Sequence, residues 1–141
     1  MSDAPDAVVE WVDGYAFLGS DGSGHPIVFD SSEKGVSRGI SPMKALLASL
    51  GACSGMDIVA ILGKRKQKLT SLKVSISGVR PEYGLPKPYT SISVKYVLTG
   101  EDLQEEFVDE AVKGSIEKYC SVAATVNARA KIEYSYEIAE G

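Results

Sequence analysis

The chain has 141 residues, 44% of them hydrophobic, which suffices for one sizeable core but is too short for two ordinary domains. We therefore expect a single domain over residues 1–141. The net charge is −4, so no overall positive field attracts nucleic acid or an anionic membrane surface. The opening residues, MSDAPDAVVEWVDG, lack the basic and apolar regions of a secretory signal, which predicts a cytoplasmic protein.

Three short strands are predicted before the first helix, because alternating or β-branched runs are separated by glycine-containing turn signals. The runs are Val8–Val12, Tyr15–Leu18 and Ile27–Asp30. A polar loop over residues 31–39 follows. The three strands are expected to form a small meander.

A long apolar helix is predicted from Ser41-Pro42, since serine is a favoured N-cap and proline a favoured first helical residue. It is expected to run to about Lys68, where a basic cluster complements the negative end of the helix dipole. Its length approaches that of a membrane span, but Lys44 and Asp57 argue against one. A helix that is apolar all round belongs in a protein core or a subunit interface.

The second half of the chain alternates strands with helical patterns. Period-two alternation predicts strands at residues 72–79, 90–98 and 131–138, and a proline-containing loop covers residues 80–89. An apolar stripe predicts a helix over residues 105–119, and a short helix is expected at residues 122–129. This order of elements predicts an α+β fold.

The two cysteines, Cys53 and Cys120, lie 67 residues apart. A structural disulfide is unexpected in a cytosolic protein, so they are either two inert thiols or a redox pair. A zinc site would need carboxylates or a second subunit, because neither CxxC nor HxxxH spacing is present. The residues therefore predict no metal or cofactor, and the lone histidine, His25, receives no role.

Cys53 lies three turns into the predicted helix, beyond the reach of the N-terminal dipole. A thiol in that position reacts as a thiolate only if a cation lies nearby. Arg38, just before the helix, is the leading candidate, and Lys44 is the other.

Three segments carry a family resemblance: RGISPMKALLASLGACSGMDIVAIL, PYTSISVKYVLTG and AVKGSIEKYCSVAATV. They resemble the OsmC/Ohr family, and its OsmC-like branch most closely. A proline lies eleven residues before the first cysteine, Met56-Asp57 follows it, and the second cysteine stands in KYCSVAAT. The resemblance implies an OsmC-like fold with antiparallel sheets around a long buried central helix, in an intertwined homodimer.

The resemblance also implies a thiol-dependent peroxidase. Cys53 would attack an organic hydroperoxide and become a sulfenic acid, and Cys120 would resolve it as a disulfide. Arg38 would assist the attack, and a lipoylated or thioredoxin-like dithiol protein would reduce the disulfide. In the family's peroxidase branches a glutamate after the helix-opening proline orients the arginine; here Met43 and Lys44 follow Pro42, and Glu33 is the candidate replacement.

Two functions follow as hypotheses. The first is a peroxidase that uses Cys53, Cys120 and Arg38. The second is a protein of the same fold that binds a small molecule or senses redox state, with little turnover. A hydrolase with a serine triad is disfavoured, because His25 is the only histidine in the sequence.

Overall fold

The computed structural model describes residues 4–141, which divide into two compact units, residues 4–46 and 47–141. The elements in chain order are β1 (Val8–Asp13), β2 (Ala16–Ser20), β3 (Pro26–Phe29), α1 (Pro42–Lys64), β4 (Lys68–Val79), β5 (Ser91–Glu101), α2 (Glu105–Gly114), α3 (Ser121–Asn127) and β6 (Lys131–Ala139). Their mixed content confirms the predicted α+β class. The single-domain expectation stays a prediction.

The first unit contains the predicted meander, in which β1, β2 and β3 pair antiparallel in that order. The loop that leaves β3 returns to it, since Ile40 donates to the Val28 carbonyl at 3.0 Å and Asp30 donates to the Ile40 carbonyl at 3.2 Å. Several large apolar side chains of this unit are exposed, among them Val9, Trp11, Val12, Leu18 and Val28.

Helix α1 begins as predicted but ends four residues earlier. The Lys44 N–H donates to the Ser41 side chain at 3.3 Å, which confirms Ser41 as the cap. At the other end Lys66 has a φ of 56°, and the Gln67 and Lys66 N–H groups donate to the Leu62 and Gly63 carbonyls. This is a Schellman ending, usually built on glycine. The prediction of an end near Lys68 was therefore wrong, and Lys68 starts β4 instead.

The second unit is built on a sheet with the order β4-β5-β6. Strands β4 and β5 are antiparallel, as expected, but β5 and β6 are parallel. The parallel pair corrects the expectation that every strand pair would be antiparallel. Its physical reason is the connection between β5 and β6, which carries α2 and α3 and is long enough for a crossover.

Helix α1 packs closely on β4 because two glycines face the strand. A β-carbon built at Gly51 would lie 2.8 Å from Ile76 Cδ1, and one at Gly55 would lie 3.8 Å from Leu72 Cδ2. On the same helix Leu50, Ile58 and Leu62 are fully buried in the core. Each such burial contributes about 1.5–3 kcal/mol, so this face of the helix is held firmly in place.

The opposite face of α1 is apolar and exposed. Met56 is 71% exposed and Val59 is 53% exposed. By length and composition alone α1 could cross a membrane, and only about a third of its most apolar 18-residue window is buried. The helix is therefore less buried within the single chain than the sequence predicted.

Candidate active site

Cys53 and Asp57 project from one face of α1, because residues four apart in an α-helix lie one turn above each other. Both side chains are half-buried. The face between them and the sheet is closed by the buried Ser54, which lies beside Cys53 in the sequence. The long helix thus fixes the spacing of one thiol and one carboxyl group.

Cys120 reaches the same place from the other end of the fold. The predicted helix over residues 105–119 is split: α2 ends at Gly114, and Ser115–Tyr119 form a π-helical turn. The turn delivers Cys120 to the N-cap of α3, where its sulfur accepts a hydrogen bond from the Ala123 N–H at 3.3 Å. π-Helical turns occur frequently at functional sites.

The two sulfur atoms and an Asp57 carboxylate oxygen all lie within 4.8 Å of one another. Both cysteines are free thiols. The structure thus brings together two thiols that are 67 residues apart in the sequence. A disulfide between Cys53 and Cys120 needs only a small approach of the two sulfurs, which bond at about 2.05 Å.

The two thiols differ in exposure. Cys120 is 3% exposed, whereas Cys53 is half-buried. Burial raises the pKa of Cys120 to about 11, the Ala123 N–H opposes the shift, and the adjacent Cys53 adds to it. Cys120 therefore stays protonated at neutral pH, and Cys53 is the more accessible thiol.

A buried hydroxyl pair lies beneath the thiols. Tyr96 on β5 is fully buried and donates from its phenol to the Ser54 hydroxyl at 2.6 Å; Ser54 in turn donates to the Leu50 carbonyl at 2.8 Å. Burial raises the pKa of Tyr96, and negative charge on Cys120 or Asp57 raises it further. The phenol therefore stays neutral and anchors this part of α1 to the sheet.

Asp57 is the residue of this group that the sequence reasoning did not assign. Its Oδ2 atom is buried and has no hydrogen-bond partner among residues 4–141, and burial raises the pKa of its carboxyl group. Buried polar atoms without partners are rare in native proteins and mark strained or functional positions. The signal was present in the sequence as the spacing of Cys53 and Asp57 on one helix.

Asp57→Asn is expected to stabilise the protein at neutral pH. The folded-state pKa of Asp57 lies above its unfolded value, so the wild type loses stability as pH rises from about 4 through the folded pKa. Asparagine removes that loss, and its advantage should vanish as the pH falls below about 4, where both states are protonated. Urea unfolding of both proteins at several pH values measures the difference. The exposed Asp109→Asn is the control, and an equal gain there would contradict the assignment.

A cavity of about 670 Å³ extends from Asp57 towards the end of α1. Three cations line it, namely Lys64, Arg65 and Lys118. Arg65 is engaged by Glu110 through two hydrogen bonds of 3.1 and 2.8 Å. The cavity volume lies in the range of small-molecule sites.

Arg38, the predicted assisting cation, lies in the first unit and is held by two carboxylates. Its guanidinium bonds to Asp13 and, at 3.3 Å, to Asp30, and its N–H donates to Asp30 at 3.0 Å. The Arg38 side chain lowers the pKa of Asp13, and the Arg38 and Ser31 N–H groups lower the pKa of Asp30. Strand residues thus supply the acids that the start of α1 lacks, and the suggestion of Glu33 was wrong.

Comparison with known proteins gives consistent matches. Residues 33–135 match the family model described as OsmC-like protein. The chain is 39% identical over 132 residues to protein YhfA of Escherichia coli K12, which covers 94% of this chain and 96% of the relative.

Two solved structures extend the comparison. A hypothetical protein from Aquifex aeolicus VF5 is 34% identical, with 99% of each chain covered and a TM-score of 0.86. The organic hydroperoxide resistance protein OhrB of Bacillus subtilis is 18% identical, with 93% of this chain and 97% of that chain covered and a TM-score of 0.63. The second likeness is one of fold.

Proposed function

The chain belongs to the OsmC-like protein family, and from that premise we propose that it reduces organic hydroperoxides by a cycle of Cys53 and Cys120. One observation carries the proposal. The two cysteine sulfurs lie within 4.8 Å of each other although 67 residues separate them in the sequence. The fold-level likeness to a hydroperoxide resistance protein supports the choice of substrate class.

The difference between the thiols assigns their roles. Cys53 is the accessible sulfur, so its thiolate attacks the terminal oxygen of the hydroperoxide, the O–O bond breaks, and the alkoxide takes a proton to leave as an alcohol. Cys53 is then a sulfenic acid. The buried Cys120 thiol attacks the Cys53 sulfur, and a disulfide and one water molecule form.

Return to the dithiol state needs two electrons from a reductant. A dithiol protein of the lipoylated or thioredoxin type would supply them by thiol–disulfide exchange and become a disulfide itself. Such a cycle suits the reducing cytoplasm, the compartment we propose. The test of the function is continuous consumption of cumene hydroperoxide by the reduced protein with dithiothreitol as the supply of electrons.

Arg38 is proposed as the cation that stabilises the reacting thiolate and the departing alkoxide. The family resemblance supports this role, and the carboxylates of Asp13 and Asp30 hold its guanidinium in one orientation. Arg38→Ala is expected to slow the first oxidation of Cys53 by about 10²-fold, the usual loss for one such electrostatic group. Stopped-flow measurement of thiol oxidation gives the rate.

The control for Arg38 is Arg80→Ala, which removes an exposed arginine that caps the loop carbonyl of Lys87. Arg38→Lys should recover part of the rate, because the charge remains while the two-pronged geometry is lost. Unchanged rates in Arg38→Ala would move the role to Lys44 or Arg65.

We propose a homodimer in which the exposed face of α1 packs against a second copy. The support is an apolar groove of about 500 Å³ along this face, lined among others by Gly55, Met56 and Val59. Soluble monomers rarely leave an apolar patch of this kind uncovered. A second chain would bury the helix that the sequence predicted to be central.

Met56→Arg is expected to convert the dimer to a monomer. An unpaired arginine buried in an apolar interface costs several kcal/mol, which exceeds what the remaining contacts compensate. Sedimentation equilibrium measures the mass of the particle. Val36→Arg, at a loop residue that is 93% exposed, is the control and should leave the dimer intact. A wild type that sediments as a monomer would refute the dimer.

The alternative is a binding or redox-sensing protein, and the cavity at Asp57 is the observation that favours it. Such a protein would form the disulfide once and turn over little with excess reductant. Counting the peroxide molecules consumed by each chain separates the two functions.

A further inference from the structure

The group of Cys53, Asp57 and Cys120 contains more than a dithiol cycle requires. Two thiols are enough to form and break a disulfide. The structure adds a carboxylate whose oxygen lies within 4.8 Å of both sulfurs. We propose that these three side chains form a binding site for a zinc-class cation, with Zn²⁺ held by two thiolates and one carboxylate.

The donor set fits this cation. Zn²⁺ binds cysteine sulfur at about 2.3 Å and carboxylate oxygen at about 2.0–2.2 Å, and it accepts tetrahedral mixtures of the two. In such a site neighbouring ligand atoms lie about 3.5–4 Å apart. The observed limit of 4.8 Å is therefore closed by small side-chain rotations, with no change in the backbone.

The unpartnered Asp57 oxygen is the independent observation for a cation. Oδ2 is buried and accepts no hydrogen bond from residues 4–141. A carboxylate beside two sulfurs opposes thiolate formation, because like charges repel at short range. A dication reverses that relation, since it attracts all three groups and deprotonates coordinating thiols outright.

The positions of the ligands give the ion a way in and a supporting contact. Asp57 lines the cavity of about 670 Å³, and both Cys53 and Asp57 are half-buried. The Ala123 N–H donates to the Cys120 sulfur at 3.3 Å, as an outer contact to a metal-bound thiolate does. Three protein ligands leave the fourth position to water, so the ion is bound reversibly.

Zinc binding competes with oxidation of the thiols. Each coordinated sulfur gives up its proton and holds the cation with the electron pair that would attack a peroxide. A chain with bound Zn²⁺ should therefore keep both thiols when the metal-free chain is oxidised. The site would set when the two cysteines are open to oxidation.

The experiment is an anaerobic titration of the reduced full-length chain with Zn²⁺ against a chromogenic chelator, followed by Co²⁺ as a spectroscopic probe. We expect one ion per chain, and a Co²⁺ spectrum with tetrahedral visible bands and thiolate charge transfer. Asp57→Asn should weaken binding at least about tenfold, since loss of even an outer contact costs 10–100-fold. Cys53→Ser and Cys120→Ser should weaken it further.

Asp109→Asn is the matched control, because it removes an exposed acid outside the group and should bind as the wild type does. Circular dichroism of metal-free Asp57→Asn checks that the variant is folded. The proposal is overturned if Asp57→Asn binds Zn²⁺ as tightly as the wild type, or if the wild type binds no better than Cys53→Ser. No peroxide enters this experiment, so its failure is distinct from failure of the proposed function.

Discussion

Replacing Cys53 by serine is expected to abolish the consumption of cumene hydroperoxide, to the level of buffer with dithiothreitol alone. Serine retains the shape and some hydrogen bonding of the side chain, but a hydroxyl neither ionises near neutral pH nor attacks a peroxide oxygen as a thiolate does. Cys120 cannot take over, because it is 3% exposed and burial raises its pKa to about 11. A colorimetric peroxide assay measures the loss.

Two further measurements make this result interpretable. Circular dichroism and the particle mass should be unchanged, since Cys53 is only half-buried on the long helix α1. Ala124→Ser, which adds a hydroxyl at an exposed residue of α3, should consume peroxide as the wild type does. Turnover that survives in Cys53→Ser would remove this cysteine from the reaction.

Replacing Cys120 by serine is expected to permit a single oxidation and then to stop the reaction when no external thiol is present. Cys53 would become a sulfenic acid without a resolving partner, and excess peroxide would carry it to sulfinic acid. The fold should tolerate the change, because serine is a favoured N-cap and its oxygen can accept the Ala123 N–H that the sulfur accepts now.

Dimedone trapping followed by mass spectrometry measures this outcome. The Cys120→Ser chain should carry one dimedone adduct on Cys53 after one equivalent of peroxide, whereas the wild type should carry a disulfide and no adduct. If the variant shows no adduct while peroxide disappears, Cys120 is not the resolving thiol. Equal over-oxidation of both proteins would lead to the same conclusion.

Local patterns in the sequence predicted most elements of the fold. Alternation located all six strands to within a few residues, and the Ser41-Pro42 pair located the start of α1 because capping is a local interaction. The end of α1 was missed because Lys66 adopts the left-handed conformation usually taken by glycine. The parallel pairing of β5 and β6 was missed although two intervening helices favour a crossover.

The candidate site was predicted in part. Resemblance to a family named both cysteines, and the structure brings them within 4.8 Å, which no spacing rule for residues 67 apart provides. Asp57 was visible one turn after Cys53 but carried no meaning until Cys120 was placed beside it. The carboxylates on Arg38 come from two strands, and pairing of that kind depends on tertiary structure that a local pattern does not encode.

The most direct test of the dithiol cycle is a count of free thiols before and after one equivalent of cumene hydroperoxide under anaerobic conditions, with mass spectrometry of the peptides. The metal-free chain should start with two free thiols and lose both rapidly, and the peptides that contain Cys53 and Cys120 should be joined by a disulfide within one chain. Two thiols that persist for minutes would contradict the proposed cycle.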